Sequence, residues 1–161
     1  MRKLLVLVLL MIAFSNLYSQ EIKAVKNVDD LKEIQTSTKG KIVLYNFWAT
    51  WCKPCVVEFP ELVKLYKNYK DSNFVLVFVS MDMPEDMKEK VKPFLEKHGV
   101  DFVTYYNDFK NPEAIIEFYD KNWEGAIPST YIYDKEGKLS TKFVGNRDYE
   151  FFKKEISKLL N

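Results

Sequence analysis

The sequence predicts an α/β fold, and three observations carry that prediction. The stretch Phe74-Val75-Leu76-Val77-Phe78-Val79 is apolar at every position, as a strand covered on both faces must be. Strand-like and helix-like segments alternate along most of the chain, which implies parallel pairing through helical crossovers. Towards the C-terminus two short strands flank Asp134-Lys135-Glu136-Gly137, a hairpin signal. The pattern is compatible with several α/β sheets, and one domain with a substantial core suits a length of 161 residues.

Taken in order, the chain opens with Arg2 and Lys3 before eleven unbroken apolar residues, Leu4 to Phe14. A membrane span needs about 20 apolar residues, whereas a secretory signal needs a basic start and a shorter apolar stretch. Residues 1–19 are therefore read as a cleaved export signal, with a cut after Ser15 as the alternative position, ahead of one domain over 20–161. An uncleaved membrane anchor is the competing reading. A lipid-modified cysteine is excluded, because no cysteine lies in this region.

Residues 22–25 form a strand candidate, and 28–37 a helix with Leu31 and Ile34 inward. Lys39-Gly40 breaks it before a strand at 41–47. A helix then begins near Cys52 and ends in 68–72, with Cys55, Phe59, Leu62, Tyr66 and Tyr69 at helical spacing on one face. After the 74–79 strand, Met87, Val91, Phe94 and Leu95 mark the apolar stripe of a helix over 84–98, which Gly99 stops. His98 falls at that helix's C-terminus, where a protonated imidazole is favourable. A strand is expected at 100–105. Asn111-Pro112 then opens a helix whose inward residues are Ile115, Ile116 and Tyr119. Strands at 129–133 and 139–144 precede a last helix started by Asp148 and Glu150, with Phe152, Ile156 and Leu159 facing in.

Chemistry concentrates in Tyr45 to Pro60, where an apolar strand hands over to a helix and Cys52 and Cys55 stand with two residues between them. A helix N-terminus favours negative charge and lowers a thiol's pKa, so the setting is that of a reactive dithiol, with Lys53 adding positive charge. A structural staple is the alternative, but a bridge closing so short a loop restrains the unfolded chain little. A closed zinc site fails on ligand count, with two cysteines and one histidine in the chain. Covalent haem attachment requires histidine after the second cysteine, and Val56 stands there.

The run Phe47-Trp48-Ala49-Thr50-Trp51-Cys52-Lys53-Pro54-Cys55, with Glu58 and Pro60, resembles the active-site segment of the thioredoxin superfamily. More closely, it is similar to the TlpA/ResA-like thiol–disulfide oxidoreductases that work outside the cytoplasm. The likeness runs from about Lys41 to Gly145. It implies the thioredoxin fold, a central mixed sheet flanked by helices, with an inserted strand–helix unit around 100–122.

The resemblance also implies roles. Cys52 is expected to be the exposed attacking thiol and Cys55 the shielded resolving one, with Glu58 aiding proton transfer. Left to its own position, Glu58 is a solvated glutamate in an early helix turn. Trp51, Lys53, Pro54, Ile127 and Pro128 are expected to meet substrate, Ile127-Pro128 as a cis-proline loop facing the dithiol; an ordinary strand start is the bland reading of that proline. Asn46 stands where cytoplasmic thioredoxins carry a buried acid, and otherwise reads as a polar residue at a strand end. Trp48 reads as core. Trp123 reads as packing or as a wall of the groove.

Losing the signal removes Arg2 and Lys3, two of the 24 basic residues, and none of the 23 acidic ones, so the net charge moves from +1 to about −1. No basic face suggests a nucleic acid as partner. The expected partners are protein disulfides or dithiols, such as apocytochrome c by resemblance, with a membrane thiol transporter supplying electrons to a periplasmic monomer or weak dimer. No metal and no cofactor beyond the Cys52–Cys55 pair is expected. A disulfide-donating oxidase or isomerase, or a redox-inert peptide binder, are the alternatives on the same fold.

Overall fold

The computed structural model describes residues 21–111 and 113–160; the expected export signal and the role of Pro112 lie outside the described residues. In chain order the elements are β1 (Ile22–Val25), α1 (Val28–Ser37), β2 (Ile42–Trp48), α2 (Lys53–Tyr69), β3 (Phe74–Ser80), a π-helical turn (Met87–Val91), α3 (Lys92–Lys97), β4 (Thr104–Asn107), α4 (Glu113–Tyr119), β5 (Ser129–Tyr133), β6 (Leu139–Val144) and α5 (Tyr149–Leu160). They build one six-stranded sheet in the order β1-β4-β3-β2-β5-β6. The first three pairings are parallel, and β2–β5 and β5–β6 are antiparallel. The sheet is therefore mixed, with β2 at the change of direction.

Both faces of β2 and β3 are covered, which is why these strands read as continuous apolar runs. One face presents Leu44, Trp48, Leu76 and Phe78 to Phe59 and Leu62 of α2 and to Phe152 and Ile156 of α5. The other presents Val43, Tyr45, Phe47, Val77 and Val79 to Leu31 and Ile34 of α1 and to Ile115 and Tyr119 of α4. Strand alternation puts Asn46 on the first face, towards α2. It is 1% exposed and lies inside the strand, paired with Phe78 and Thr130, not at its end. Helix α1 starts with a capping box, Asn27 accepting from the Asp30 N–H while Asp30 accepts from Asn27.

Several boundaries depart from expectation. The strand expected at 100–105 begins at Thr104, whose N–H donates to Glu21 O as β4 joins β1. Residues before it serve as packing: Val100 is buried, and the Phe102 ring lies 4.1 Å from Tyr66. Gly99 makes the preceding stop with φ +65°, a conformation that favours glycine. The helix expected over 84–98 opens as a π turn, in which the Lys92 N–H bonds to Met87 O. Pro93 follows and has no N–H to return to the turn before it, so a regular α-helical ladder cannot run through this point. His98 ends α3 with its ring 4.4 Å from Phe94 and 5.4 Å from Phe59. Burial, helped by Lys97, pushes its pKa down from the ordinary imidazole value. The expected strand–helix insertion is present as β4 and α4, with β4 seated between β1 and β3. In α4, Ile115 and Tyr119 are buried and Ile116 is only partly so.

Candidate active site

The β2–α2 junction delivers the dithiol. Cys52 is the N-cap of α2 in extended conformation, Pro54 occupies its first turn, and the Cys55 N–H points at Cys52 Sγ from 3.3 Å. The two sulfurs are bonded, with 5.2 Å between the Cα atoms. Aligned N–H groups of a 17-residue helix therefore face Cys52 Sγ, the position that stabilises a thiolate once the bond is reduced. Cys52 is 6% exposed and Cys55 2%. The expected contrast between an open and a shielded cysteine is thus small while the disulfide is closed, because the S–S bond draws Cys52 against the helix start.

Ile127-Pro128 is a cis peptide bond, as the resemblance implied. The Ile127 carbonyl lies 3.6 Å from Cys52 Sγ, within reach of a thiol proton in the reduced state. Pro128 O accepts from Gly145 N at 2.9 Å, which ties this loop to the end of β6. Trp123 is 6% exposed: its ring packs 4.7 Å from Phe47, and its indole N–H donates to Ala126 O at 2.8 Å. It is packing that also holds the loop leading into Ile127. A cleft of about 390 Å³ opens beside it, lined by Trp123, Ala126, Ser129, Tyr131, Phe143 and Val144 among others. Trp51, Lys53 and Pro54 are exposed at the surface around Cys52, and Val57 follows on the next turn of α2. Trp48 is core, as expected, at 1% exposed.

Glu58 is not solvated. It lies three residues beyond Cys55 on α2, is 1% exposed, and both its oxygens accept hydrogen bonds. Asn46 Nδ2 donates to Oε1 at 2.9 Å, and Arg147 N donates to Oε2 at 2.8 Å. The second Asn46 proton goes to Thr130 Oγ1 at 3.1 Å. Burial raises the Glu58 carboxyl to about 7, while the Arg147 N–H, the Asn46 amide and the Arg147 charge work against that rise. A carboxyl poised there can exchange a proton at neutral pH.

The structure brings Cys52, Cys55, Ile127 and Pro128 together, and one turn along α2 from Cys55 it joins Glu58 to Asn46 and Arg147, with Thr130 bonded to Asn46. Sequence reasoning missed Thr130 and Arg147 and undervalued Asn46, although a lone amide within an apolar strand was a visible signal. It also missed Asp82, which is 2% exposed just beyond β3 and bonded to Thr50. Among the described residues no group of three or more His, Cys, Asp or Glu is arranged to hold a metal ion.

The model of the AhpC/TSA family matches residues 19–142. Thiol-disulfide oxidoreductase ResA of Bacillus thuringiensis is 31% identical over 121 residues, covering 75% of this chain; the chain spans 65% of that relative's length. Thioredoxin-like protein YneN of Bacillus subtilis is 34% identical over 138 residues, covering 86% of this chain and 74% of the relative. Among solved structures, a thiol:disulfide interchange protein of the thioredoxin family from Chlorobium tepidum superposes with a TM-score of 0.67 at 28% identity, covering 79% of this chain and 85% of that one. The expected thioredoxin fold is the one observed, and the chain belongs to the AhpC/TSA family of thioredoxin-like proteins.

Proposed function

We propose that the protein is a thiol–disulfide oxidoreductase that reduces disulfides of exported proteins. The observation that carries the proposal is the Cys52–Cys55 pair at the start of α2, facing the Ile127 carbonyl. In the reduced state Cys52 attacks one sulfur of a substrate disulfide; a Cys52–substrate bond forms, the substrate's own bond breaks, and its second sulfur leaves as a thiolate. Cys55 then gives up its proton, with Glu58 as acceptor, and attacks Cys52 Sγ. The mixed disulfide breaks, the substrate sulfur that was bonded to Cys52 leaves as a thiolate, and two electrons have passed to the substrate as Cys52–Cys55 closes. Trp51, Lys53, Pro54 and the half-buried Ile127 form the rim on which an extended substrate segment rests; Pro128, expected to meet substrate, is itself buried.

Work outside the cytoplasm is supported by the basic and apolar start of the sequence, and no helix among the described residues is long and apolar enough to cross a membrane. Apocytochrome c and other exported thiol proteins are the substrate class this reading favours, with a membrane thiol transporter as reductant. Equilibration with glutathione tests the direction: a potential near about −270 mV is expected, and one near about −120 mV would make the protein a disulfide donor. Trapping tests the roles. Cys55→Ser should accumulate reductant-sensitive adducts with exported proteins and Cys52→Ser none; equal trapping by both would overturn the assignment.

A further inference from the structure

Asp82 is a buried carboxylate that the dithiol chemistry above does not use. It stands two residues past the end of β3, beside the turn that carries Trp51 and Cys52. Its Oδ2 accepts the Thr50 N–H at 2.9 Å and the Ser80 hydroxyl at 2.7 Å. Its Oδ1 accepts the Thr50 hydroxyl, and the same Thr50 N–H reaches it at 3.2 Å. Ser80 Oγ in turn accepts the Asp82 N–H at 3.0 Å, and Met81 N donates to Trp48 O at 2.7 Å just before it. No cation stands within salt-bridge distance of Asp82 among the described residues. Hydrogen-bond donors contact it directly, and the Lys90 charge acts on it from farther off.

A buried charge is costly, and a neutral side chain would close the same turn at lower cost. What the carboxylate supplies is several strong acceptor directions on one residue, two of them spent on a residue two positions before Cys52. On its other side Cys52 is held by the first turn of α2, and its own N–H donates to Ala49 O at 3.2 Å, so the turn from Ala49 to Cys52, which Asp82 grips at Thr50, sets its orientation. We propose that Asp82, acting through Thr50, is the positioning residue that keeps Cys52 at the helix N-cap with its sulfur towards the Cys55 N–H and the Ile127 carbonyl, and so keeps its thiol reactive. This rests on Cys52 being the attacking thiol.

The test is alkylation of Cys52 in reduced protein across pH, by iodoacetamide with mass-spectrometric assignment, beside insulin reduction by the same samples. In Asp82→Ala the alkylation midpoint should move to higher pH, and Cys52 labelling at pH 7 should slow about tenfold, the low end of what losing hydrogen bonds to a charged group costs. Turnover of insulin should fall with it while KM changes little. Thr50→Val, which removes one hydroxyl from a half-buried position, should move the midpoint the same way by less, and Thr50→Ser should bring it back. Lower unfolding stability with an unmoved alkylation profile would reduce Asp82 to a scaffold residue and overturn the proposal. If Asp82→Ala does not fold, the Thr50 pair decides: profiles of Thr50→Val and the parent that coincide reject it. A parent that alkylates readily at Cys52 but reduces no insulin would refute the oxidoreductase reading instead, leaving the alkylation comparison to judge Asp82.

Discussion

Replacing Glu58 by glutamine should remove a pH dependence of stability that this one carboxyl imposes on the oxidised protein. Burial raises Glu58 from its ordinary 4.5 to about 7. In the unfolded chain the group ionises at its ordinary value, so between the two the folded state holds a proton that the unfolded state has lost. Its stabilising contribution is complete below pH 4.5 and is lost as the pH rises through about 7. At ~1.36 kcal/mol per pKa unit, this amounts to about 3 kcal/mol between pH 4 and pH 8. Glutamine fits the site with one adjustment. Its carbonyl keeps the Arg147 N–H, and the Asn46 amide turns so that Oδ1 accepts from the new Nε2 and from the Thr130 hydroxyl. Urea unfolding of parent and Glu58→Gln, both with Cys52–Cys55 closed, measures the difference with all other titrations in common. The parent should lose about 3 kcal/mol more than the variant over that range. Parallel stability curves would refute the reasoning, because they would mean that Glu58 ionises alike in both states.

Asn46→Leu removes a donor from the ionised form of Glu58, so the Glu58 carboxyl should titrate above its parent value and the loss of stability should extend to higher pH. Carboxyl ¹³C NMR of Glu58 reads this directly, and an unchanged or lower titration point would refute it. Phe59→Ala should cost about 3–5 kcal/mol in urea unfolding, the range for truncating a buried aromatic. Its ring is 1% exposed and lies 4.3 Å from Phe78, 4.6 Å from Trp48 and 4.9 Å from Phe94. A loss under about 1 kcal/mol would mean that the cluster closes over the gap.

Much of this molecule is legible in its sequence because the controlling interactions are local. The apolar run at 74–79, the helical recurrence from Cys55 to Tyr69 and the turn signal at 134–137 each follow from periodicity, and β3, α2 and the β5–β6 hairpin appear where that periodicity puts them. Cys52 and Cys55 are three residues apart at a helix start, so their pairing needs no distant information. Where local rules compete, boundaries move: Pro93 reshapes the start of α3, and strand pairing delays β4 until Thr104. The environment of Glu58 was decided only by the tertiary structure. By position it belongs in solvent, at an early helix turn, but its oxygens meet Asn46 and Arg147, 12 and 89 residues away in sequence. Asp82 reaches Thr50 across 32 residues in the same way. Pattern reveals which face of a helix or strand turns inward, because that depends on spacing along one element. Whether a charged group is desolvated, and which donors replace its water, depends on elements that meet only after the sheet has assembled.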